Sequence, residues 1–410
     1  MPRLVLDLSP LTVSPAYRRL WAGLSIAQVG QQMATFTVAW QVYALTGSYF
    51  AVGLLGGFAL VPLILGGLYG GSIVDAHDRR TVALVASLGL WVCSLILVAQ
   101  AWLDLSFLPL LYVVVAAQSA FFAVNNPARA AILPRLLPAR LLPAANTLTT
   151  VSFNLGFTMG PLLGGVAVAL FGVKGSYTID ALTFTAALYG ISRLPHIPPV
   201  GAVRRAGLRS VLEGLHFLRT RINLLMTFLV DLCAMVLAQP RALFPGLADN
   251  VFGGGARTAG LLAASAGVGA LVAAAFSGWL GRVRWQGRMV VAMIVAYGAA
   301  VACFGWSSLL PVALLFLGLS GAFDMVSAVF RSTILQVATP DDLRGRLQGV
   351  FVVVVAGGPR LGDMVMGTAS QVLGPQTAIV VGGLACVVAT ASLAWRFRSF
   401  VHYDARDPHA

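Results

Sequence analysis

Asp231, Asp324, Arg360 and Asp363 fall inside otherwise apolar stretches of this sequence. A charge carried into hydrocarbon costs roughly 2.5–3.5 kcal/mol on insertion scales, so such groups are paired or functional. Arg360 and Asp363 stand three residues apart, on one helical face. That spacing permits a local ion pair, and it equally suits coupling or substrate contact. Asp231 lies about two turns into its apolar run and reads as an isolated proton acceptor. Asp180, near the end of another run, is expected to reach the interface. A second set is polar but uncharged: Gln28, Gln31, Gln32 and Thr35 recur at helical spacing in one run. Asn125, Asn126 and Asn154 add hydrogen-bonding groups, and Phe36, Trp40 and Phe153 add aromatic faces. Such a group either lines a water-filled cavity or bonds helices together.

Other chemistries lack their residues. Cys93, Cys233, Cys303 and Cys386 all sit in apolar runs without paired spacing, as small buried hydrophobes rather than disulfides or metal ligands. The histidines are scattered, so no metal site, cofactor site or membrane-embedded catalytic cluster is expected. A Gly-x-x-x-x-Gly-Lys-Ser/Thr loop for ATP is missing too.

The elements that must position these residues are membrane helices. Of the 410 residues 58% are hydrophobic and 10% charged, against about 25% charged in soluble domains. An apolar run of about twenty residues spans ~30 Å of hydrocarbon at ~1.5 Å per residue. Twelve such runs are read, at 20–44, 50–74, 81–103, 107–127, 146–171, 175–194, 223–247, 258–281, 288–307, 309–330, 349–372 and 376–395. The segment from Met1 to Pro10 has no apolar core with a cleavage site, so no removable leader is expected. The net charge of +13 is not a nucleic-acid patch. Arg18/Arg19, Arg79/Arg80, Arg129/Arg135/Arg140, Arg282/Arg284/Arg288 and Arg344/Arg346 fall in alternate connections, and this positive-inside pattern places both termini in the cytoplasm.

The longest polar connection opens with Pro195-His196-Ile197-Pro198-Pro199 and continues as an amphipathic stretch over Leu208–Leu218, expected to lie on the membrane surface. It divides the chain into a six-span bundle (1–194), a linker (195–222) and a second six-span bundle with a short tail (223–410). A shift of 202 residues carries Arg129 onto Arg331, Ile132-Leu133 onto Ile334-Leu335, and Pro138 onto Pro340. It also carries Gly156, Gly160 and Gly172 onto Gly358, Gly362 and Gly374. Apolar composition does not produce an ordered Arg, Pro and Gly series. Such repeats characterise transporters whose halves rock about a central site.

Two motifs carry a mechanism. In Gly71-Ser72-Ile73-Val74-Asp75-Ala76-His77-Asp78-Arg79-Arg80, a small residue permits close packing and the acid can meet a neighbouring helix end or arginine. The plainer reading is a basic loop. In Gly156-Phe157-Thr158-Met159-Gly160-Pro161-Leu162-Leu163-Gly164-Gly165, glycines four apart line one face, and the proline permits a bend.

The first motif resembles the loop between spans 2 and 3 of the major facilitator superfamily. Gly71, Asp75, Arg79 and Arg80 match it, and Asp78 stands where a second glycine is usual. The second resembles that superfamily's antiporter signature, with Gly156, Gly160, Pro161, Gly164 and Gly165 all in place. Asn126-Pro127-Ala128-Arg129, Ile132-Leu133-Pro134 and the stretch Leu335–Arg346 are similar to the enterobactin-exporter-like branch. The arginine motif of many drug–proton antiporters within span 4 is absent. The resemblance implies a major facilitator fold: an all-α membrane protein with twelve transmembrane helices in two pseudo-symmetric six-helix bundles. It further implies export of a small amphipathic molecule, siderophore or drug-like, by a monomer in the inner membrane, coupled to protons. Uptake, or coupling to another ion, is the alternative.

Overall fold

The computed structural model describes residues 7–198, 216–338 and 352–404. Among them the chain is helical throughout, and an antiparallel bridge between Trp285 and Asp404 is isolated. Nine of the described helical stretches are long and apolar enough to cross a membrane. The amphipathic stretch over Leu208–Leu218 falls mostly outside the described residues, as do Pro340, Arg344 and Arg346.

The helices are α1 (Pro15–Thr46), α2 (Tyr49–Ala76), α3 (Arg79–Trp102), α4 (Leu108–Leu136) and α5 (Leu142–Ser192). Then follow α6 (Ile222–Leu232), α7 (Phe244–Asn250), α8 (Gly255–Ala275) and α9 (Gln286–Trp306). The last are α10 (Leu310–Ala338), α11 (Gly357–Leu373) and α12 (Pro375–Arg396). Helix α5 is one run in hydrogen bonding but two in direction. Gly172, at φ 67° and ψ −176°, turns the backbone in the middle, and only glycine enters that region without strain. The two arms, 142–171 and 173–192, match the two apolar runs read on either side of it.

Two features depart from the spans read in sequence. The run 223–247 is not one helix: α6 passes into a π turn at Cys233–Leu237, and the chain breaks at 238–240 before a 3-10 turn (Arg241–Leu243) and α7. Pro240 has no N–H to extend the ladder, and its ring excludes a continuous helix. The runs ending at 127 and 330 continue as helix to Leu136 and Ala338, because their amphipathic extensions pack rather than face lipid. Arg129 and Arg331 therefore sit within helices, two turns from their ends, and Ile132 and Ile334 beyond them are fully buried.

By contacts the described chain groups into two compact units. The first is Met1–Gln41 with Val61–Gly207, the second Val42–Leu60 with Leu208–Ala410. The second unit thus includes the end of α1 and the start of α2. Glycines explain why. A methyl on Gly53 would lie 2.6 Å from the Asp363 carbonyl oxygen and 3.0 Å from Gly367 Cα, so α2 and α11 meet backbone to backbone. Beside this seam Tyr43 and Tyr49 pack with ring centroids 5.2 Å apart, and Asn250 Nδ2 donates to Tyr43 Oη at 2.6 Å. Gly246 leaves the space that both rings fill.

Candidate functional site

In the second unit two of the intramembrane acids converge on one residue absent from the sequence-derived candidates. Asp231, near the end of α6, forms an ion pair with Arg331 of α10. Arg331 Nη2 also reaches Asp324 Oδ1 at 3.2 Å, a bond along one face of α10, since residues seven apart return to the same side. The Asp231 and Arg331 side chains are 7% and 11% exposed, and Asp324 is 30% exposed. The three line an open cleft of ≈ 170 Å³ with Phe228, Met235 and Leu335 as apolar walls. Asp231 is therefore not an isolated acceptor. Its partner lies 100 residues away in sequence and meets it only through the packing of α6 on α10.

Arg360 and Asp363 do not form the local ion pair that their spacing allows. Arg360 Nη1 donates to the Ala356 carbonyl at 2.7 Å, one turn back, while Asp363 Oδ1 is buried without a hydrogen bond. Helical side chains lean toward the N-terminus, so an arginine preceding its acid points away from it. Arg241 lies within electrostatic range of Asp324, Asp363 and Arg360.

In the first unit the polar stripe and the glycine motif form one seam. A methyl on Gly156 would lie 2.6 Å from Gln28 Cγ, and one on Gly164 would lie 3.0 Å from Phe36 Cδ1. Between them Gly160 receives Gln32 Cβ. Each glycine of the α5 series thus accepts one residue of α1 at i, i+4 and i+8. Gln28, Gln32 and Phe36 are committed to this helix contact, with Gly165 buried beside it and Pro161 half-buried. Thr35 is exposed and bonds back to the Gln31 carbonyl, while Gln31 and Trp40 are half-buried. Asn125 is buried and donates to Ser87 Oγ at 3.0 Å, which ties α4 to α3. Asn126, Phe153 and Asn154 are exposed, with the Phe153 ring tilted against that of Phe157, centroids 4.7 Å apart.

The loop after α2 is organised by Asp78 rather than Asp75. Asp78 caps α3, accepting from the Thr81 N–H at 2.8 Å, and also accepts from the Ile197 N–H at 2.7 Å. Its carboxyl is partly buried, which disfavours the charge. The bonds from Thr81 and Ile197, with His196 nearby, outweigh this and hold it below its ordinary value. Arg79 donates to the Ala131 carbonyl and Arg80 to that of Ser192. Asp75 is half-buried and Gly71 partly so; among the described residues Asp75 forms no hydrogen bond or ion pair.

Asp180 also differs from its expected place. It is 1% exposed, and Ser94 Oγ donates to its Oδ2 at 2.6 Å. The second arm of α5 begins at 173, so Asp180 lies two turns inside rather than at an interface. Around it Tyr177 Oη donates to Gln41 Oε1 at 2.7 Å, Gln41 and Gln100 bond reciprocally at 3.1 Å, and Thr37 meets Ser176.

The family model described as "Transmembrane secretion effector" matches residues 6–408. The chain belongs to that family of the major facilitator superfamily. Among curated relatives, the enterobactin exporter EntS of Citrobacter koseri is 27% identical over 384 residues, covering 94% of this chain and 92% of that protein. EntS of Shigella boydii is 26% identical over 388 residues, with the same coverages. Among solved structures, a crystal structure of the nucleoside transporter NupG superposes with a TM-score of 0.74 at 14% identity, covering 94% of this chain and 99% of that one. The family is one of transporters rather than enzymes, and this major facilitator protein is a multi-pass membrane transporter.

Proposed function

We propose that this transporter exports a small amphipathic organic compound, siderophore-like or drug-like, by alternating access in exchange for protons. The observation that carries the reading is Arg331 held between Asp231 and Asp324 in an open cleft of the second unit. Arg331 is shared between the two carboxylates, so one of them can take a proton while the other keeps its ion pair. Asp324 is the more exposed acid and takes the proton in this reading. Its protonation frees one limb of Arg331 while the pair with Asp231 persists, which changes the relative stability of two packings of α6 on α10. The π turn and the break at 238–240 give α6 a point at which to move. The apolar walls beside the charges suit a molecule with both characters, and the names of the curated relatives support export.

In this reading the nine stretches become twelve spans. Gly172 divides α5 into two. Helix α1 crosses despite the polar stripe that dilutes its hydropathy, and 352–373 crosses as a π turn continued by α11. The chain crosses the cytoplasmic membrane as a monomer of two six-span bundles (1–194 and 223–410) joined by 195–222, both termini inside. Asp75, Arg79 and Arg80 gate the cytoplasmic side, so Asp75→Asn protein inserts normally but transports poorly. The test is accumulation of siderophore precursors, macrolides and dyes in cells with and without the protein, before and after collapse of the proton gradient. The reading expects at least one compound to accumulate on deletion and on collapse; indifference to the protein for all of them contradicts export.

A further inference from the structure

The first unit holds an ionisable group that this mechanism does not use. Asp180 sits among α1, α3 and the second arm of α5, and one of its oxygens, Oδ1, is buried without a hydrogen bond. Oδ1 faces Gly30 of α1, where an added methyl would lie 3.1 Å away. The neighbouring polar groups are spent elsewhere. Thr183 Oγ1 donates to Asp180's own carbonyl at 2.8 Å, Trp91 Nε1 donates to the Ala181 carbonyl, and Tyr177 Oη is held by Gln41. The titratable groups of the packed elements are Tyr177 on α5 and Cys93 on α3; α1 presents Ala27, Gly30 and Ala34. Lys174, two turns along α5, is bound to Asp104 at 2.9 Å. Among the described residues no cation lies within ion-pair distance of Asp180. An ionised carboxylate without water or counter-charge is strongly disfavoured, and a proton removes that cost. The 2.6 Å spacing to Ser94 suits an O–H···O bond in either direction.

We propose that Asp180 is a second proton-binding site, in the first unit, that is occupied when α1 packs on α3 and the second arm of α5 and is emptied when α1 withdraws. The contact between α1 and this arm is made to part and re-form. At the Gly23 end the helices meet backbone to backbone, Gly190 bringing the Arg19 carbonyl within 2.9 Å of where a methyl would be and Gly23 meeting the Ala186 carbonyl, while Thr37–Ser176 and Gln41–Tyr177 tie the other end, so parting begins on the glycine side. Separation admits water to the carboxylate, and the proton leaves to it.

The protonation is read without transport, so it stands apart from the exporter proposal. Infrared spectra of the purified full chain in detergent, from mildly acidic to mildly alkaline buffer, are expected to contain a buried carboxylic C=O band. That band is lost in Asp180→Asn and shifted in Ser94→Ala. Identical bands in wild type and Asp180→Asn would overturn the site, and loss of the band on replacing choline chloride with sodium chloride would make its ligand sodium. In proteoliposomes, Asp180→Asn is expected to lose movement driven by a pH gradient while keeping substrate exchange at equal pH. Undiminished gradient-driven movement would show that the proton never leaves, contrary to the proposal.

Discussion

Arg129 and Arg331 occupy matching positions in the repeat, on α4 and α10, yet their surroundings differ. Arg331 is held by two carboxylates. Arg129 has its Nε buried without a hydrogen bond, and no carboxylate among the described residues is within ion-pair distance. The positions that match Asp231 and Asp324 are Val29 and Phe122. The first unit instead spends its α1–α5 contact on glycines receiving Gln28, Gln32 and Phe36. Duplication therefore preserved the helices and the arginine but not the charge chemistry. The glycine seam is common to both, since Gly358 and Gly362 likewise face Met235, and the ion-paired arginine belongs to the second unit.

The sharpest way to break this comparison is to strip one partner from the buried pair. Asp231→Ala leaves Arg331 with one limb uncompensated and is expected to cost about 3–5 kcal/mol. Thermal unfolding of the purified protein in detergent would register it, and Asp231→Leu with Arg331→Met is expected to recover most of that stability without recovering transport. Crowding the seam comes next. Gly160→Leu forces a side chain into Gln32 and is expected to cost about 1–3 kcal/mol. Gly164→Ala, whose methyl would meet the Phe36 ring edge at 3.0 Å and the Met33 carbonyl at 3.2 Å, is expected to cost less in the same assay.

Removing the α3 cap is a smaller change: Asp78→Ala loses about 1 kcal/mol. The Asp78 carboxyl is held below its unfolded value, so its contribution is fully present above about pH 4 and is lost as pH falls through the folded value. The protection factors of the Thr81 and Ile197 amides against hydrogen exchange are expected to fall over that acid range in wild type and to be flat in Asp78→Asn. The least effect is expected at the counterpart arginine. Arg129→Met is expected to change stability by less than about 1 kcal/mol, because no ion pair is lost. A loss as large as that of Arg331→Met would erase the asymmetry between the units.

The repeat and the apolar runs made the helices legible, because crossing hydrocarbon leaves a length and composition signature that needs no tertiary information. Gly172 and Pro240 were visible as residues, but whether they bend, break or merely interrupt a helix depends on packing. The charged site was half legible. Asp231 and Asp324 stood out as intramembrane acids, whereas Arg331 looked like the end of a span until α10 was seen to run to Ala338. The repeat held a usable signal, since an arginine recurring at the same place in both halves, seven residues after Asp324, marks a helix face. Asp180 was misplaced because its burial depends on the neighbouring helices that cover it, which the residues of its own span do not show.

The central claim is that proton coupling runs through the Asp231–Arg331–Asp324 cluster. It is tested most directly by gradient-driven export from proteoliposomes containing the Asp231→Asn, Arg331→Gln, Asp324→Asn triple variant, which keeps the polar shapes and removes the charges. The account predicts that the variant no longer accumulates substrate against its gradient when a pH difference is imposed, while downhill movement continues. Accumulation at the wild-type level by correctly inserted triple variant would contradict it.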